Sequence, residues 1–322
     1  MAKKVLIDCD PGIDDSIAIM LALKHPDIEV MAITATSGNL IADRTCENAL
    51  KILEFMNETD IPVAKGMNKP LVRPFPKDPY SHGEDGLGNH FFAPPRLKAL
   101  DMFAPDLIIE TVMKHPGEVT IAALGPLTNL ALAFMRKPEL AAAVKEIVLI
   151  GGAFGFNEYA FRNATGDNPA SEWNVYVDPE AAEIVFGCGA KVTAVGLDVA
   201  YHPDINFKER HYDRLRRATS KEAKYMLGID RYVKEGSTVG SFDSSSGIID
   251  SVAIASIIDP SLLETQEIKV AVEKVSPLTL GQTVWDRRDH FRWEHLQSIY
   301  AASGLDSERF LDLLVGVLEQ EQ

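Results

Sequence analysis

The sequence predicts an α/β protein whose open, mostly parallel sheet is flanked by helices. Short β-branched apolar runs alternate with longer helical patterns along the chain, as in parallel sheets whose strands are connected by helices. The 322 residues are 46% apolar, which suits a substantial core. No composition break separates the two halves, so we expect one domain over residues 1–322. The expected fold is Rossmann-like, with the active site at the carboxyl ends of the strands.

Six runs rich in β-branched residues are predicted strands. They are Val5–Asp10, Ile28–Thr36, Val119–Leu124, Ile147–Gly151, Val192–Leu197 and Ile268–Glu273.

Three helices are predicted from apolar residues that recur at helical spacing and from the residues that end such runs. Ser16–Lys24 precedes His25-Pro26, Arg44–Met56 has an apolar stripe, and Pro179–Phe186 ends at Gly187.

Two stretches are predicted to be irregular loops. Lys69–Pro95 holds six of the 18 prolines and includes Ser81-His82-Gly83, so we expect a long active-site loop. Ser237–Gly247 offers little apolar surface to pack, which predicts a second loop.

The charge and cysteine content exclude several classes of protein. A formal charge of −15 argues against a nucleic-acid groove as the main activity. Cys9, Cys46 and Cys188 are too few and too scattered for a disulfide framework, which predicts a reducing, cytoplasmic location. No apolar run is long enough for a membrane span, so no membrane partner is expected.

The densest group of acidic residues directly follows the first predicted strand. The run Asp8-Cys9-Asp10-Pro11-Gly12-Ile13-Asp14-Asp15 places four carboxylates within eight residues. Like charges this close raise one another's pKa unless a cation compensates them. Because the run offers carboxylate oxygens and no cluster of His or Cys residues, the expected cation is hard, Ca²⁺ or Mg²⁺. A solvated turn with Asp14 or Asp15 capping the helix is the alternative.

In two classes of enzyme, the first strand of the sequence is followed by aspartates in this position. Phosphotransferases of the haloacid dehalogenase type would use Asp8 as the nucleophile and Asp10 as the acid and base. The residues that follow, Pro11-Gly12-Ile13-Asp14-Asp15, depart from that pattern.

The run from Asp8 to Asp15 resembles the opening signature of the inosine-uridine preferring nucleoside hydrolase family. Similar family landmarks extend over nearly the whole chain. They are Thr36-Ser37-Gly38-Asn39, the helix around Asn48, Gly125-Pro126-Leu127-Thr128-Asn129, Gly151-Gly152-Ala153, the central run from Glu172 to Ala182, Ile249-Asp250-Ser251-Val252-Ala253 and Gly281-Gln282-Thr283-Val284-Trp285-Asp286.

The resemblance implies a Ca²⁺ ion and a set of ligands for it. Asp10, Asp15, the backbone carbonyl of Leu124 and Asp250 would bind the ion, together with water and two ribose hydroxyls. Mixed carboxylate, carbonyl and water oxygens are typical of such sites. Helix capping is the alternative role for Asp250.

The resemblance also implies hydrolysis of the N-glycosidic bond of a purine or pyrimidine ribonucleoside to ribose and free base. A metal-activated water would attack the anomeric carbon, with Asp10 as general base. The sugar and the water would contact Asp14, Asn39, Asn163, Glu172, Asn174 and Asp250. Asn163 precedes a longer loop than is usual in the family, and Asn168 is the second candidate for its role. Glu172 and Asn174, two apart, would share one face of an extended segment.

Activation of the leaving base is where the chain departs from many relatives. They carry His directly before the aspartate equivalent to Asp250, and this chain has Ile249, which donates no proton. His82 matches another His of the family and is the candidate catalytic acid. Solvent, another loop residue or stacking on Phe242, Trp285 or Trp293 are the alternatives.

Two further expectations follow. Ile249 keeps a noncatalytic nucleoside or ribose sensor as an alternative to the enzyme, and the family implies a homodimer or homotetramer. Cys9 is predicted to be a small buried strand residue rather than a nucleophile, because the surrounding negative charge raises the pKa of a thiol.

Overall fold

The computed structural model describes residues 2–76, 81–162, 164–236, 247–290 and 293–321. Nine strands lie within these residues. They are β1 (Lys3–Cys9), β2 (Ile28–Ala35), β3 (Val63–Lys65), β4 (Val119–Ala123), β5 (Glu146–Ile150), β6 (Val192–Val195), β7 (Leu263–Val272), β8 (Thr283–Trp285) and β9 (Ser298–Leu305).

Thirteen α-helices lie in the same part of the chain. They are α1 (Ile13–Lys24), α2 (Ala42–Met56), α3 (Ala104–Lys114), α4 (Thr128–Arg136), α5 (Leu140–Ala143), α6 (Tyr159–Arg162), α7 (Trp173–Val177), α8 (Pro179–Phe186), α9 (Leu197–Ala200), α10 (Glu209–Arg217), α11 (Lys221–Arg231), α12 (Ser251–Ile258) and α13 (Ser307–Leu318). A π-helical turn, Tyr232–Gly236, extends α11, and 3₁₀ turns cover Pro203–Ile205 and Pro260–Leu262. No helix of the described residues is long and apolar enough to cross a bilayer.

The strands form one sheet in the order β3-β2-β1-β4-β5-β6-β9-β7-β8. Pairing is parallel from β3 through β9, and β7 runs antiparallel to both β9 and β8. The predicted α/β class with a mostly parallel, open sheet is therefore confirmed. The chain moves outward from β1 to β3 and then returns to β4, so a ligand crevice is expected beyond the carboxyl ends of β1 and β4.

Both faces of the sheet are buried. Val5 and Ile7 of β1 pack into a core that includes α1, α2 and α12, whereas Leu6 packs into a second core with α3, α4 and α8. This burial on both faces explains why the strand runs are almost continuously apolar.

The predicted strands and helices agree with the structure to within a few residues, apart from β7, which begins at Leu263 rather than Ile268. Strands β3, β8 and β9 were not predicted: two span three residues, and β9 contains Ala, Ser and Gly. The expected extended segment at Glu172–Asn174 is wrong, because Glu172 caps α7 and Asn174 lies in that helix. The described part of Lys69–Pro95 has neither helix nor strand, as predicted, and most of Ser237–Gly247 lies outside the described residues.

Candidate active site

Four buried aspartates meet at the carboxyl end of the sheet. Asp10 follows β1 directly, Asp14 and Asp15 lie in the first turn of α1, and Asp250 immediately precedes α12. Because α1 packs against α12, the C-terminal aspartate is brought to the other three.

Three of these side chains form a cluster that could bind a metal ion. One carboxylate oxygen each from Asp14, Asp15 and Asp250 lies within 4.8 Å of the other two. Burial raises the pKa of Asp14 and of Asp15 to about 7. Burial and the charges of Asp14, Asp15 and Asp10 raise the pKa of Asp250 well above its usual range. Such a group of carboxylates favours a bound cation, which would compensate the repulsion.

Helix capping explains only part of this cluster. Asp15 accepts hydrogen bonds from the backbone N–H of Asp10 (3.1 Å) and Gly12 (2.9 Å), so it does stabilise the start of α1. Asp250 makes no capping hydrogen bond to α12. The Oδ1 atom of Asp14 is buried and accepts no hydrogen bond from the described residues. The all-oxygen donor set and this unsatisfied atom fit a hard cation.

Asp10 is held between two backbone segments. Its Oδ2 accepts the backbone N–H of Asn39 at 2.5 Å. A Cβ at Gly38 would lie 2.0 Å from Oδ2, and one at Gly125 would lie 2.2 Å from Oδ1. Glycine at both positions therefore allows the backbone to approach this carboxylate closely. Burial, and then the charge of Asp15, raise the pKa of Asp10 well above its usual range.

Asn39 binds the aspartates, and Asn174 joins two neighbouring strand ends. The Asn39 amide donates to Asp15 Oδ2 at 3.0 Å and to the carbonyl of Asp10 at 3.2 Å. The Asn174 amide donates to the carbonyls of Leu124 (2.8 Å) and Ile150 (3.1 Å). Since a carbonyl has two lone pairs, Leu124 retains one for another partner.

Glu172 has a structural role that the sequence interpretation missed. Its carboxylate accepts the backbone N–H groups of Asn174, Val175 and Gly152 at 2.8 to 3.1 Å. It therefore caps α7 and joins that helix to the end of β5. Burial raises its pKa to about 7.

His82 lies against the start of α1. Its Nδ1 accepts the backbone N–H of Ile13 at 3.2 Å and is 3.7 Å from Asp14 Oδ1. The structure thus brings the candidate acid next to the aspartate cluster.

The other residues considered for activation of the leaving base, and the two asparagines considered for the sugar, lie in different places. Ile249 packs against the core beneath the site. Trp285 donates its ring N–H to the carbonyl of Phe154 at 2.7 Å and packs on Phe156, so this ring has a structural role. The backbone N–H of Trp293 donates to the carboxylate of Asp286 at 3.1 Å. Phe242 and Asn163 lie outside the described residues. The Asn168 amide is bonded to the carbonyl of Leu280 at 2.9 Å.

Asp8 is not part of the cluster although it begins the acidic run. Its side chain is fully buried in β1, where Oδ1 accepts from Thr34 (2.6 Å) and Asn129 (2.9 Å). The alternation of side chains in β1 places Asp8 on the same face of the sheet as Leu6. Cys9 is fully buried, as predicted, and burial with the neighbouring aspartates raises the pKa of its thiol.

The fold and the site together define an α/β protein with a buried acidic centre at the switch point of the sheet. The family "Inosine-uridine preferring nucleoside hydrolase" matches residues 5–312. The protein of that name from Crithidia fasciculata is 37% identical over 326 residues, covering 99% of this chain and 98% of the relative. Pyrimidine-specific ribonucleoside hydrolase RihA of Shewanella sp. (strain ANA-3) is 36% identical over 323 residues, covering 99% and 96%.

Solved structures give the same result. A plant nucleoside hydrolase, PpNRh1, superposes with a TM-score of 0.88 at 35% identity and full coverage of both chains. A purine-preferring ribonucleoside hydrolase from Gardnerella vaginalis gives 0.84 at 29% identity, with 98% of each chain covered. The chain belongs to the inosine-uridine preferring nucleoside hydrolase family, as its motifs predicted. It is an enzyme of the class that hydrolyses the N-glycosyl bond of ribonucleosides.

Proposed function

We propose that the protein is a Ca²⁺-dependent N-ribohydrolase that releases ribose and a free base from purine or pyrimidine ribonucleosides. Family membership supports the reaction class. The observation that carries the metal dependence is the buried group of Asp14, Asp15 and Asp250, whose carboxylate oxygens lie within 4.8 Å of one another.

The family resemblance implies that Asp10, Asp15, Asp250 and the carbonyl of Leu124 would hold the cation, with Asp14 beside them. Calcium accepts mixed carboxylate and carbonyl oxygens in flexible geometry, as this donor set requires. When bound, such an ion would orient a water molecule and lower its pKa, so that a carboxylate could take its proton.

Asp10 would take the proton from the attacking water. Its carboxylate is fixed between Gly38 and Gly125 and by the N–H of Asn39, so it can accept a proton without moving. Burial favours the protonated form that results.

The remaining polar side chains would orient the sugar. Asp14, which belongs to the cluster, and Asn39, which donates to Asp15, would bind ribose hydroxyls. Glu172, Asn174 and either Asn163 or Asn168 would bind farther along the sugar. Because the main-chain N–H groups already fix Glu172, its carboxylate is a rigid acceptor.

His82 would protonate the leaving base. An Nδ1 atom that accepts the Ile13 N–H leaves the ring proton of the neutral imidazole on Nε2, from which it can be donated.

Ribose release from inosine, adenosine, guanosine, uridine and cytidine tests the proposal. We expect release that a chelator abolishes and that Ca²⁺ restores better than Mg²⁺. Asp10→Asn should lower kcat by about 10³-fold, whereas the exposed Asp312→Asn should retain wild-type activity. Absence of release from all five nucleosides by calcium-loaded protein would contradict the proposal.

Two alternatives predict other outcomes of this test. Ribose or nucleoside binding without turnover would indicate a sensor, which the apolar Ile249 keeps open as an alternative. Turnover of phosphorylated substrates would indicate a phosphotransferase, although Asp8, its nucleophile, is fully buried and bonded to Thr34 and Asn129.

The remaining parts of the proposal rest on the sequence. We propose one domain over residues 1–322, a homodimer or homotetramer, and a cytoplasmic location based on the three free cysteines.

A further inference from the structure

We propose that Asn48 is a positioning residue for catalysis, because its side-chain amide joins the segment that carries the aspartates to the loop that carries His82. This inference rests on the proposed function of His82 as the acid for the leaving base.

Asn48 lies in α2 and is fully buried. Its Nδ2 donates to the carbonyl of Pro11 at 3.1 Å and to the carbonyl of Asp85 at 3.0 Å. Its Oδ1 accepts from the ammonium group of Lys51 at 3.4 Å. The donor and acceptor pattern fixes the orientation of the amide, since two carbonyl oxygens require N–H donors and an ammonium group requires an acceptor.

Asp85 makes the loop a compact unit. One oxygen of its carboxylate accepts the backbone N–H groups of Leu87 and Asn89 at 2.8 and 2.9 Å, and the other accepts that of Phe91 at 2.7 Å. Asn89 and Phe91 have φ angles of 60° and 49°, which are uncommon for residues other than glycine. The carboxylate therefore stabilises a conformation that the loop would not favour alone.

His82 belongs to this unit. Its carbonyl accepts the backbone N–H of Gly88 at 2.9 Å. The carbonyl of Asp85, which Asn48 binds, lies between these two residues in the chain. Asn48 thus holds the body of the loop, while His82 Nδ1 contacts the N–H of Ile13 at the other end.

The two contacts have different chemistry. The Ile13 bond is made by the imidazole that would give up its proton, so it belongs to the reacting group. The Asn48 bonds involve no reacting group, and they set where the imidazole lies relative to Asp14. A displacement of about 1 Å in a catalytic group can cost roughly 10²-fold in rate.

Asn48→Asp is the sharpest variant to test. The side chain keeps its size and its contact with Lys51, but both N–H donors are lost and a carboxylate oxygen faces two carbonyls. We expect kcat/KM for the best natural nucleoside to fall by about 10²-fold. For 4-nitrophenyl riboside, whose leaving group needs no protonation, we expect a fall of less than about 3-fold, because the acid contributes little to that reaction.

A double-mutant cycle with His82→Ala distinguishes positioning from a general structural effect. If Asn48 acts through His82, the double variant should be no slower than His82→Ala alone, since residues that act as a unit are not additive. Asn206→Asp is the matched control: it removes an amide that donates to the carbonyl of Pro203 at 3.1 Å beside α10, and it should leave both reactions unchanged.

Asn48→Ala repeats the test if the Asp variant does not fold, as judged by thermal unfolding. Equal losses on both substrates, additive losses in the cycle, or wild-type rates in a folded Asn48 variant would overturn this inference alone. Absence of ribose release by the wild-type enzyme would overturn the proposed function, and this inference with it.

Discussion

Two acidic regions of the molecule use the same residue types in opposite ways. At the end of the sheet, Asp10, Asp14, Asp15 and Asp250 are buried, and after burial it is the neighbouring carboxylates that raise the pKa of Asp250. On the outer face between α10 and α13, the acidic residues are at least partly exposed and paired with basic ones. These pairs involve Glu308 with Lys208 and Arg210, Asp312 with Arg210 and Arg214, and Glu319 with Arg214.

The difference separates charges that affect the stability of the fold little from charges retained for a function. An exposed pair is solvated in either state, so it changes the free energy of unfolding little. A buried group of like charges lowers that free energy unless a ligand compensates it. The cluster is therefore the part of the protein where activity and stability of the metal-free fold should change in opposite directions.

The largest expected effect comes from removing one charge of the cluster. Asp250→Asn should lower kcat/KM by at least about 10³-fold, because a proposed ligand of the cation is weakened. In chelator, the same variant should unfold at a temperature a few degrees higher than wild type, since one repulsive charge is gone. Asp312→Asn is the control in both assays. A less stable Asp250→Asn protein in chelator would refute the repulsion argument.

Metal addition should stabilise the wild type strongly. With Ca²⁺ at about 100 times its Kd, the free energy of unfolding should rise by about 2.7 kcal/mol. Thermal unfolding with calcium or with chelator measures this difference, which should shrink in Asp250→Asn. An unchanged midpoint for the wild type would argue against a cation at this site.

The pH dependence of the metal-free protein should show the cost of burying these charges. The pKa of Asp14 and of Asp15 is about 7 in the fold, against 3.8 ordinarily. Between these values the folded state binds protons that the unfolded chain has lost, so its stability falls as the pH rises. From pH 5 to 7.5 we expect a loss of roughly 2 kcal/mol for each of the two carboxyl groups in chelator. Urea unfolding should show no such fall with saturating Ca²⁺. If the free energy of unfolding fell equally with pH in calcium and in chelator, the assignment of a cation to this site would be contradicted.

The smallest effect is expected on the paired face. Glu308→Gln removes contacts to Lys208 and Arg210 that are about half exposed. The free energy of unfolding should change by about 0.5 kcal/mol or less, with activity unchanged. Urea unfolding in low and high salt checks this, and a loss of several kcal/mol would mean that the face is structurally essential.

The sequence predicts those parts of the fold that short stretches of residues determine, such as the first strand and the acidic residues after it. Asp10, Asp14 and Asp15 follow a strand within six residues, and the apolar run before them identified that strand. Strand β9 was missed because its Ser, Ala and Gly have little β propensity, and its place in the sheet depends on β6 and β7.

The contacts between distant segments could not be predicted from spacing. The Asn174 amide donates a hydrogen bond to the carbonyl of Leu124, and the Asn48 amide donates to the carbonyls of Pro11 and Asp85. No local sequence pattern predicts these bonds, because each depends on how a helix packs on the sheet. From the sequence, an extended segment is expected at Glu172 because side chains two positions apart, such as Glu172 and Asn174, lie on the same face of a strand. A carboxylate that caps a five-residue helix has the same spacing.

The position of Asp250 also affects biosynthesis. Three of the four buried aspartates lie between residues 10 and 15, and the fourth, Asp250, is synthesised 235 residues after Asp15. The early segments can pair β1 with β2 and β4 before the last acidic group arrives. Docking of α12 adds that charge to the acidic group of the earlier segment, so a cation or a proton would have its largest effect when α12 docks.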